Sequence, residues 1–94
     1  MSTKIKVTPQ DLQYIINEMS NIKDKLRDTA NGLKYETSNI ASIWNDDQSQ
    51  RFLENVGGII QRINARMDEV EIEKNRIEEY RKRTDTAARD MYKQ

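Results

Sequence analysis

Acid–base chemistry is the only kind of catalysis for which this chain offers candidate residues. Asp46 and Asp47 form the only carboxylate pair in a predicted loop, and paired carboxylates can act as general acid and base. Adjacent aspartates at a helix start more often cap the helix, because they accept hydrogen bonds from its free N–H groups. The chain has no His and no Cys, which removes the usual general base, thiolates and zinc sites. We therefore predict a protein that is not an enzyme and has no catalytic, cofactor-binding or metal-binding residues.

The charge composition argues against nucleic acid as a partner. Sixteen basic residues balance sixteen acidic ones, so no overall field attracts a polyanion. The basic run Arg81-Lys82-Arg83 is flanked by acids and is too short for a nucleic-acid site. It is typical of a solvated helix face, and the alternative is a patch that contacts an acidic partner or a membrane.

The first ten residues lack the apolar segment of a Sec signal peptide, and no later run is apolar enough to span a bilayer. We therefore expect synthesis in the cytoplasm and, if the protein is exported, a route other than Sec. The absence of Cys suits a cytosolic protein and a Gram-positive extracellular protein equally well. Contact with a membrane stays open.

Two long helices account for most of the chain. Thr8, Pro9 and Asp11 have the residue types of an N-cap, a first helical position and a first turn. The apolar pattern predicts one domain over 1–94, with helix one at about 9–42, a turn at 43–47 and helix two at about 48–88. The chain after Tyr80 has few large apolar side chains apart from Met91 and Tyr92, so we expect the C-terminal tail to be mobile.

Apolar residues recur every seven positions along both helices, which is the pattern of helices that pack along a seam. In helix one, Ile15 and Ile22 are predicted to fill the alternate seam position, while Ile16 widens the stripe. A stripe of this width needs more than one neighbouring helix. The predicted hairpin and dimer seam consists of Leu12, Ile15, Ile16, Met19, Ile22, Leu26, Leu33, Ile40, Phe52, Val56, Ile59, Ile60, Ile63, Met67, Val70 and Ile77.

Only 35% of the 94 residues are apolar and 34% are charged, so a monomeric core would be marginal. Since disulfides and zinc sites are excluded, a partner chain must supply the missing burial. The fold class predicted is all-α: an antiparallel two-helix hairpin that packs against a partner chain. Gly32 and the pair Gly57 and Gly58 stand at similar distances from the turn, which predicts close approach of the two backbones there.

The only tryptophan lies at the corner, in Trp44-Asn45-Asp46. Asn and Asp tolerate left-handed backbone angles and cap helices, so this segment is predicted to end one helix and start the next. The indole can close the end of the helix pair while its N–H meets a carbonyl or water. The alternative is that Trp44 takes part in recognition at an exposed tip.

In length, in its two helices, in the lack of His and Cys and in this central Trp turn, the chain resembles the small Trp-x-Gly helical hairpins of the type VII (ESX) secretion system, the family of the early secreted antigenic target. Trp44-Asn45-Asp46 occupies the motif position, with Asp46 where the family usually has glycine. The resemblance implies a secreted protein that dimerises into a four-helix bundle, with itself or a paralogous hairpin, and that meets the secretion ATPase. It implies a role as substrate, co-secretion partner or virulence-associated factor.

The family also carries a C-terminal export signal, a Tyr followed four residues later by an acid. Here the nearest match is Tyr80 and Asp85, which are five residues apart. Spacing five turns the second side chain away from the first on a helix. Two alternatives are open for this site: Tyr80 is a seam residue and Asp85 a solvated charge, or a partner protein supplies the signal. For the whole protein, the alternative is an intracellular coiled-coil adaptor or chaperone-like subunit.

Overall fold

The computed structural model describes the backbone of residues 7–93 and the side chains of residues 7–84. Helix α1 spans Pro9–Ile43 and helix α2 spans Asp47–Lys93. The two pack antiparallel in a body of 73 × 30 × 15 Å, which is one helix layer thick. The predicted all-α hairpin is confirmed, and no strand occurs in the described residues. Helix α2 continues beyond the predicted end at 88; the side chains of the predicted tail lie outside the described residues.

Helix α1 begins with a reciprocal capping box. The Asp11 backbone N–H donates to Thr8 Oγ1 at 3.1 Å, and the Thr8 N–H donates to the Asp11 carboxylate at 3.1 Å. Pro9 follows the cap at the first helical position, where its missing N–H costs nothing. These contacts reach only three residues along the chain, so they depend on local sequence alone.

The two helices meet along one seam of buried and half-buried residues, which alternate at spacings of four and three. This is the spacing that keeps one helix edge facing its neighbour. We call this set the hairpin seam: Leu12, Ile16, Met19, Lys23, Leu26, Ala30, Leu33, Thr37 and Ile40 in α1, and Ser49, Leu53, Val56, Ile60, Ile63, Met67, Val70, Lys74, Ile77, Arg81 and Thr84 in α2.

The alternate seam position in α1 differs from the predicted one. Ile16 and Ala30 are buried between the helices, whereas Ile15 and Ile22 are exposed beside the seam. The two sets lie one residue apart, and a step of three or four residues from Leu12 reaches an isoleucine either way. The apolar pattern within α1 therefore does not determine which set is buried. Packing against α2 determines it.

Polar side chains interrupt the hairpin seam at one level that the sequence pattern does not reveal. Lys23 Nζ lies 3.0 Å from Glu71 Oε1, and Lys74 Nζ lies 3.6 Å from the same oxygen. Lys74 also donates to Ser20 Oγ at 3.4 Å. The hydrogen bond from Lys23, with the charge of both lysines, lowers the pKa of Glu71. Because the partners are this specific, the cluster favours one register of α1 against α2.

The predicted close approach at the glycines is wrong. A Cβ placed on Gly32, Gly57 or Gly58 would meet no atom within 4 Å. The register also separates the glycines: Ser20 lies opposite Lys74, which places Gly32 well away from Gly57. Helix–helix packing within the hairpin therefore does not require them.

Candidate functional site

The hairpin turns at Trp44 without any left-handed residue. Trp44 is the C-cap of α1, with φ −131° and ψ 110°, and its backbone N–H still donates to Ile40 O. No residue in the described backbone has a positive φ. The expectation that Asn and Asp serve here through left-handed angles is therefore wrong, because the extended Trp44 changes the chain direction. For the same reason the motif position at Asp46 has no need of glycine.

Asp46 starts helix α2 through a second capping box. The Ser49 N–H donates to Asp46 Oδ1 at 2.9 Å, and the Asp46 N–H donates to Ser49 Oγ at 2.8 Å. The Ser49 hydroxyl, which is fully buried, donates in turn to the Asp46 carbonyl at 2.8 Å. The box therefore gives hydrogen-bond acceptors to the backbone N–H groups of Asp46 and Ser49, which have no partner within the helix. Its serine was not singled out from the sequence, although an Asp followed three residues later by Ser is a usable signal.

The second oxygen of the same carboxylate holds the tryptophan. Trp44 Nε1 donates to Asp46 Oδ2 at 3.0 Å, so the indole partner is a carboxylate rather than the expected carbonyl or water. The hydrogen bond from the Ser49 backbone, then that from the Trp44 indole, lower the pKa of Asp46. Because the carboxylate accepts these bonds in its ionised form, its chemistry here is that of a structural acceptor rather than a proton donor.

Three large apolar side chains lie exposed around this turn, and we call them the tip patch. Ile43 is 87% exposed, Trp44 is 39% exposed and Phe52 is 37% exposed. The Trp44 and Phe52 rings are tilted against each other, with centroids 6.0 Å apart. The indole therefore packs beside Phe52 and leaves more than a third of the Trp44 surface exposed.

One broad side of the hairpin carries more exposed apolar residues. All of them except Ile43, which precedes the C-cap Trp44, immediately precede a seam residue, as Ile15 precedes Ile16 and Ile59 precedes Ile60. Successive helical residues are rotated by about 100°, and the helices are antiparallel, so residues in this position from both helices lie on the same side. We call this side the apolar face, formed by Ile15, Ile22 and Ile43 from α1 and by Phe52, Ile59 and Tyr80 from α2.

The opposite side of the hairpin is polar. Its residues immediately follow seam residues, as Ser20 follows Met19 and Glu71 follows Val70. Lys23 and Lys74 reach this side through their contacts with Glu71. The polar face consists of Gln13, Ser20, Arg27, Lys34, Asn64, Glu71 and Glu78.

The two residues of the candidate export signal are described to different extents. Tyr80 is exposed on the apolar face, and its carbonyl accepts from the Thr84 hydroxyl at 2.9 Å. Tyr80 does not lie in the hairpin seam, where its neighbour Arg81 takes the position. The side chain of Asp85 lies outside the described residues.

The described residues contain no group of three or more acidic side chains placed to hold a metal ion. Among the same residues, neither helix contains a stretch long and apolar enough to cross a membrane.

Comparison with known protein families decides the family. A family model described as WXG100, proteins of 100 residues with WXG, matches residues 4–91. The chain belongs to the WXG100 family. WXG100 proteins are helical, non-enzymatic proteins secreted by type VII systems. Comparisons with curated proteins and with solved structures gave no match. Trp44-Asn45-Asp46 is the candidate for the WXG motif, and its backbone geometry accommodates Asp.

Proposed function

We propose that this WXG100 protein is a substrate of a type VII secretion system and is exported as a folded dimer. In the dimer, two hairpins pack apolar face to apolar face as an antiparallel four-helix bundle. A second copy of the chain is the favoured partner, because one chain supplies both the hairpin seam and the apolar face. A paralogous hairpin is the other candidate, and the secretion ATPase is the proposed cytoplasmic contact.

The apolar face is the observation that carries the dimer. The hairpin is 15 Å thick, so no second layer within the described residues covers that face. Fully burying a large apolar side chain contributes about 1.5–3 kcal/mol. Six partly exposed residues on one face therefore offer enough burial for a stable interface, whereas the polar face offers little.

Charged residues occupy the middle of the apolar face and have partners of their own. Arg66 lies 2.7 Å from Glu69, and Glu73 lies 2.6 Å from Arg76. Since these ion pairs are formed within one chain, a second copy can approach without leaving either charge unpaired. The apolar residues lie toward both ends of the face, so antiparallel pairing sets the tip patch of one copy against Ile15 and Tyr80 of the other.

Secretion tests the proposal directly. We expect the protein in the culture medium when the type VII ATPase is intact and in the cytosol when the ATPase is inactivated. Appearance in the medium without the ATPase would contradict export by this route. Strict retention in the cytosol of a secreting strain would favour the intracellular adaptor instead.

Mass in solution tests the dimer separately. Sedimentation of the purified chain, alone and mixed with hairpin proteins encoded nearby, distinguishes a homodimer from a paralogous pair. A well-ordered monomer in both samples would exclude the proposed dimer.

The export signal forms part of the same proposal. If Tyr80 and Asp85 act together despite their spacing, Tyr80→Ala and Asp85→Asn each reduce secretion. Tyr35→Ala is the matched control, because Tyr35 is exposed and lies off the apolar face. Loss with Tyr80→Ala alone would assign Tyr80 to the dimer. Secretion that is unchanged in both variants would mean that a partner supplies the signal.

A further inference from the structure

Asp46 stands where the family motif has glycine, and its two carboxylate oxygens make different contacts. Oδ1 accepts from the Ser49 backbone N–H at 2.9 Å, and Oδ2 accepts from the Trp44 indole at 3.0 Å. The first contact belongs to the opening turn of α2, whereas Trp44 caps α1. One side chain thus connects the two helices across the corner.

A glycine at this position has no side chain that could make either contact. Without Asp46, the described contacts of the indole would reduce to its packing beside Phe52, at a centroid distance of 6.0 Å. A side chain this exposed has several staggered rotamers open to it. The capping box holds Asp46 in place through Ser49, and Asp46 can therefore select one of them.

We propose that Asp46 is a positioning residue for Trp44, one that fixes the orientation of the indole relative to helix α2. The only polar atom of the Trp44 side chain is directed at Asp46. The exposed part of the ring is therefore mainly carbon, and it adjoins Ile43 and Phe52 in the tip patch. Asp46 makes this patch a preformed apolar surface, whose partner contacts it with aliphatic or aromatic groups.

The partner surface rests on the proposed function, because it is the second hairpin of the dimer that would contact the tip patch. The positioning of Trp44 does not rest on it, since the bond lies within one chain. A test on the purified protein therefore separates the two. If the protein were not secreted, the measurement on the purified protein would still show whether Asp46 fixes the orientation of the indole.

The substitution Asp46→Asn separates positioning from capping. Asn is as good an N-cap as Asp, so its amide oxygen keeps the bond from Ser49 and the helix start is preserved. The remaining amide nitrogen is a donor and cannot accept from the indole N–H. Asp47→Asn is the matched control, because it removes the neighbouring charge and leaves the Asp46 carboxylate in place.

The indole N–H signal in ¹H–¹⁵N NMR is the readout, and it belongs to the only tryptophan. We expect Asp46→Asn to move this signal upfield and to speed its solvent exchange about tenfold, as loss of a hydrogen bond to a charged group implies. Asp47→Asn should leave both at the wild-type values. Circular dichroism checks that the helices persist in each variant.

Two outcomes would overturn the proposal. The first is a wild-type indole signal in Asp46→Asn, which would make Asp46 a cap and nothing more. The second is an equal change in Asp47→Asn, which would trace the effect to charge rather than to the bond. If Asp46→Asn failed to fold, Asp46→Gly provides the same reading, since Gly caps nearly as well and carries no acceptor.

Discussion

Two neighbouring isoleucines allow the hairpin and the dimer to be tested separately. Ile16 is 5% exposed and lies in the hairpin seam, whereas Ile15 is 38% exposed and lies on the apolar face. Both belong to the same turns of α1, and both can be truncated to Ala, a strong helix former. Any difference between the two variants therefore reports on what each side chain packs against.

The expected magnitudes follow from burial. For Ile16→Ala we expect the hairpin to lose about 2–3 kcal/mol of unfolding free energy, the lower part of the usual range, because the space it leaves in a single helix layer is open to water. Burying the exposed 38% of Ile15 contributes about 0.6–1.1 kcal/mol per copy. A twofold dimer buries this side chain once in each copy, so Ile15→Ala should raise the dissociation constant roughly 7- to 40-fold.

Two measurements distinguish the variants. Sedimentation equilibrium gives the dissociation constant, and urea unfolding below that concentration gives the stability of the single hairpin. Ile15→Ala should raise the dissociation constant and leave the stability of the single hairpin nearly constant. Ile16→Ala should lower the stability of the single hairpin. If both variants lowered the stability of the single hairpin equally, the assignment of Ile15 to the apolar face would be refuted.

Three further outcomes are expected. Gly58→Ala should raise the unfolding free energy by about 1 kcal/mol, because the new methyl meets open space and Ala favours helix; a lower melting temperature would show that a partner packs against the glycine. Leu26→Asp should remove most of the helical circular dichroism signal, because it places an unpaired charge in the hairpin seam, while Lys34→Asp on the polar face should not. Because the pKa of Asp46 is lowered in the folded state, its contribution is present above the ordinary Asp pKa of about 4 and is lost as the pH falls through the lower folded value. The urea midpoint should therefore fall less steeply with acid in Asp46→Asn, and an unchanged slope would contradict this linkage.

The helix starts are the part of this structure that the sequence determined locally. Thr8, Pro9 and Asp11 were predicted to start α1, and the capping box forms among them. Asp46 was predicted to lie at the start of α2, and it caps that helix. Capping contacts span three residues, so the residue types in a short segment suffice to predict them.

The all-α hairpin also followed from the sequence, because apolar residues at spacing seven favour two long packed helices. The residues from Leu12 to Ile40 at this spacing lie in the hairpin seam. The sequence did not show that Ile16, rather than Ile15, occupies the seam position between Leu12 and Met19. Both are apolar and one residue apart, and a rotation of the helix by about 100° exchanges them.

Contacts between distant residues were decided by the tertiary structure alone. Lys23 and Glu71 are 48 residues apart, and the local sequence around either residue does not predict that the two form an ion pair. The indole bond to Asp46 is short in sequence, yet it depends on the extended backbone of Trp44 and on a carboxylate already held by Ser49. The glycines were misplaced because distance from the turn does not give the register of two helices. The periodicity of one helix shows that it has an apolar edge, but only the neighbouring helix determines which residues on that edge are buried and which remain exposed for a partner.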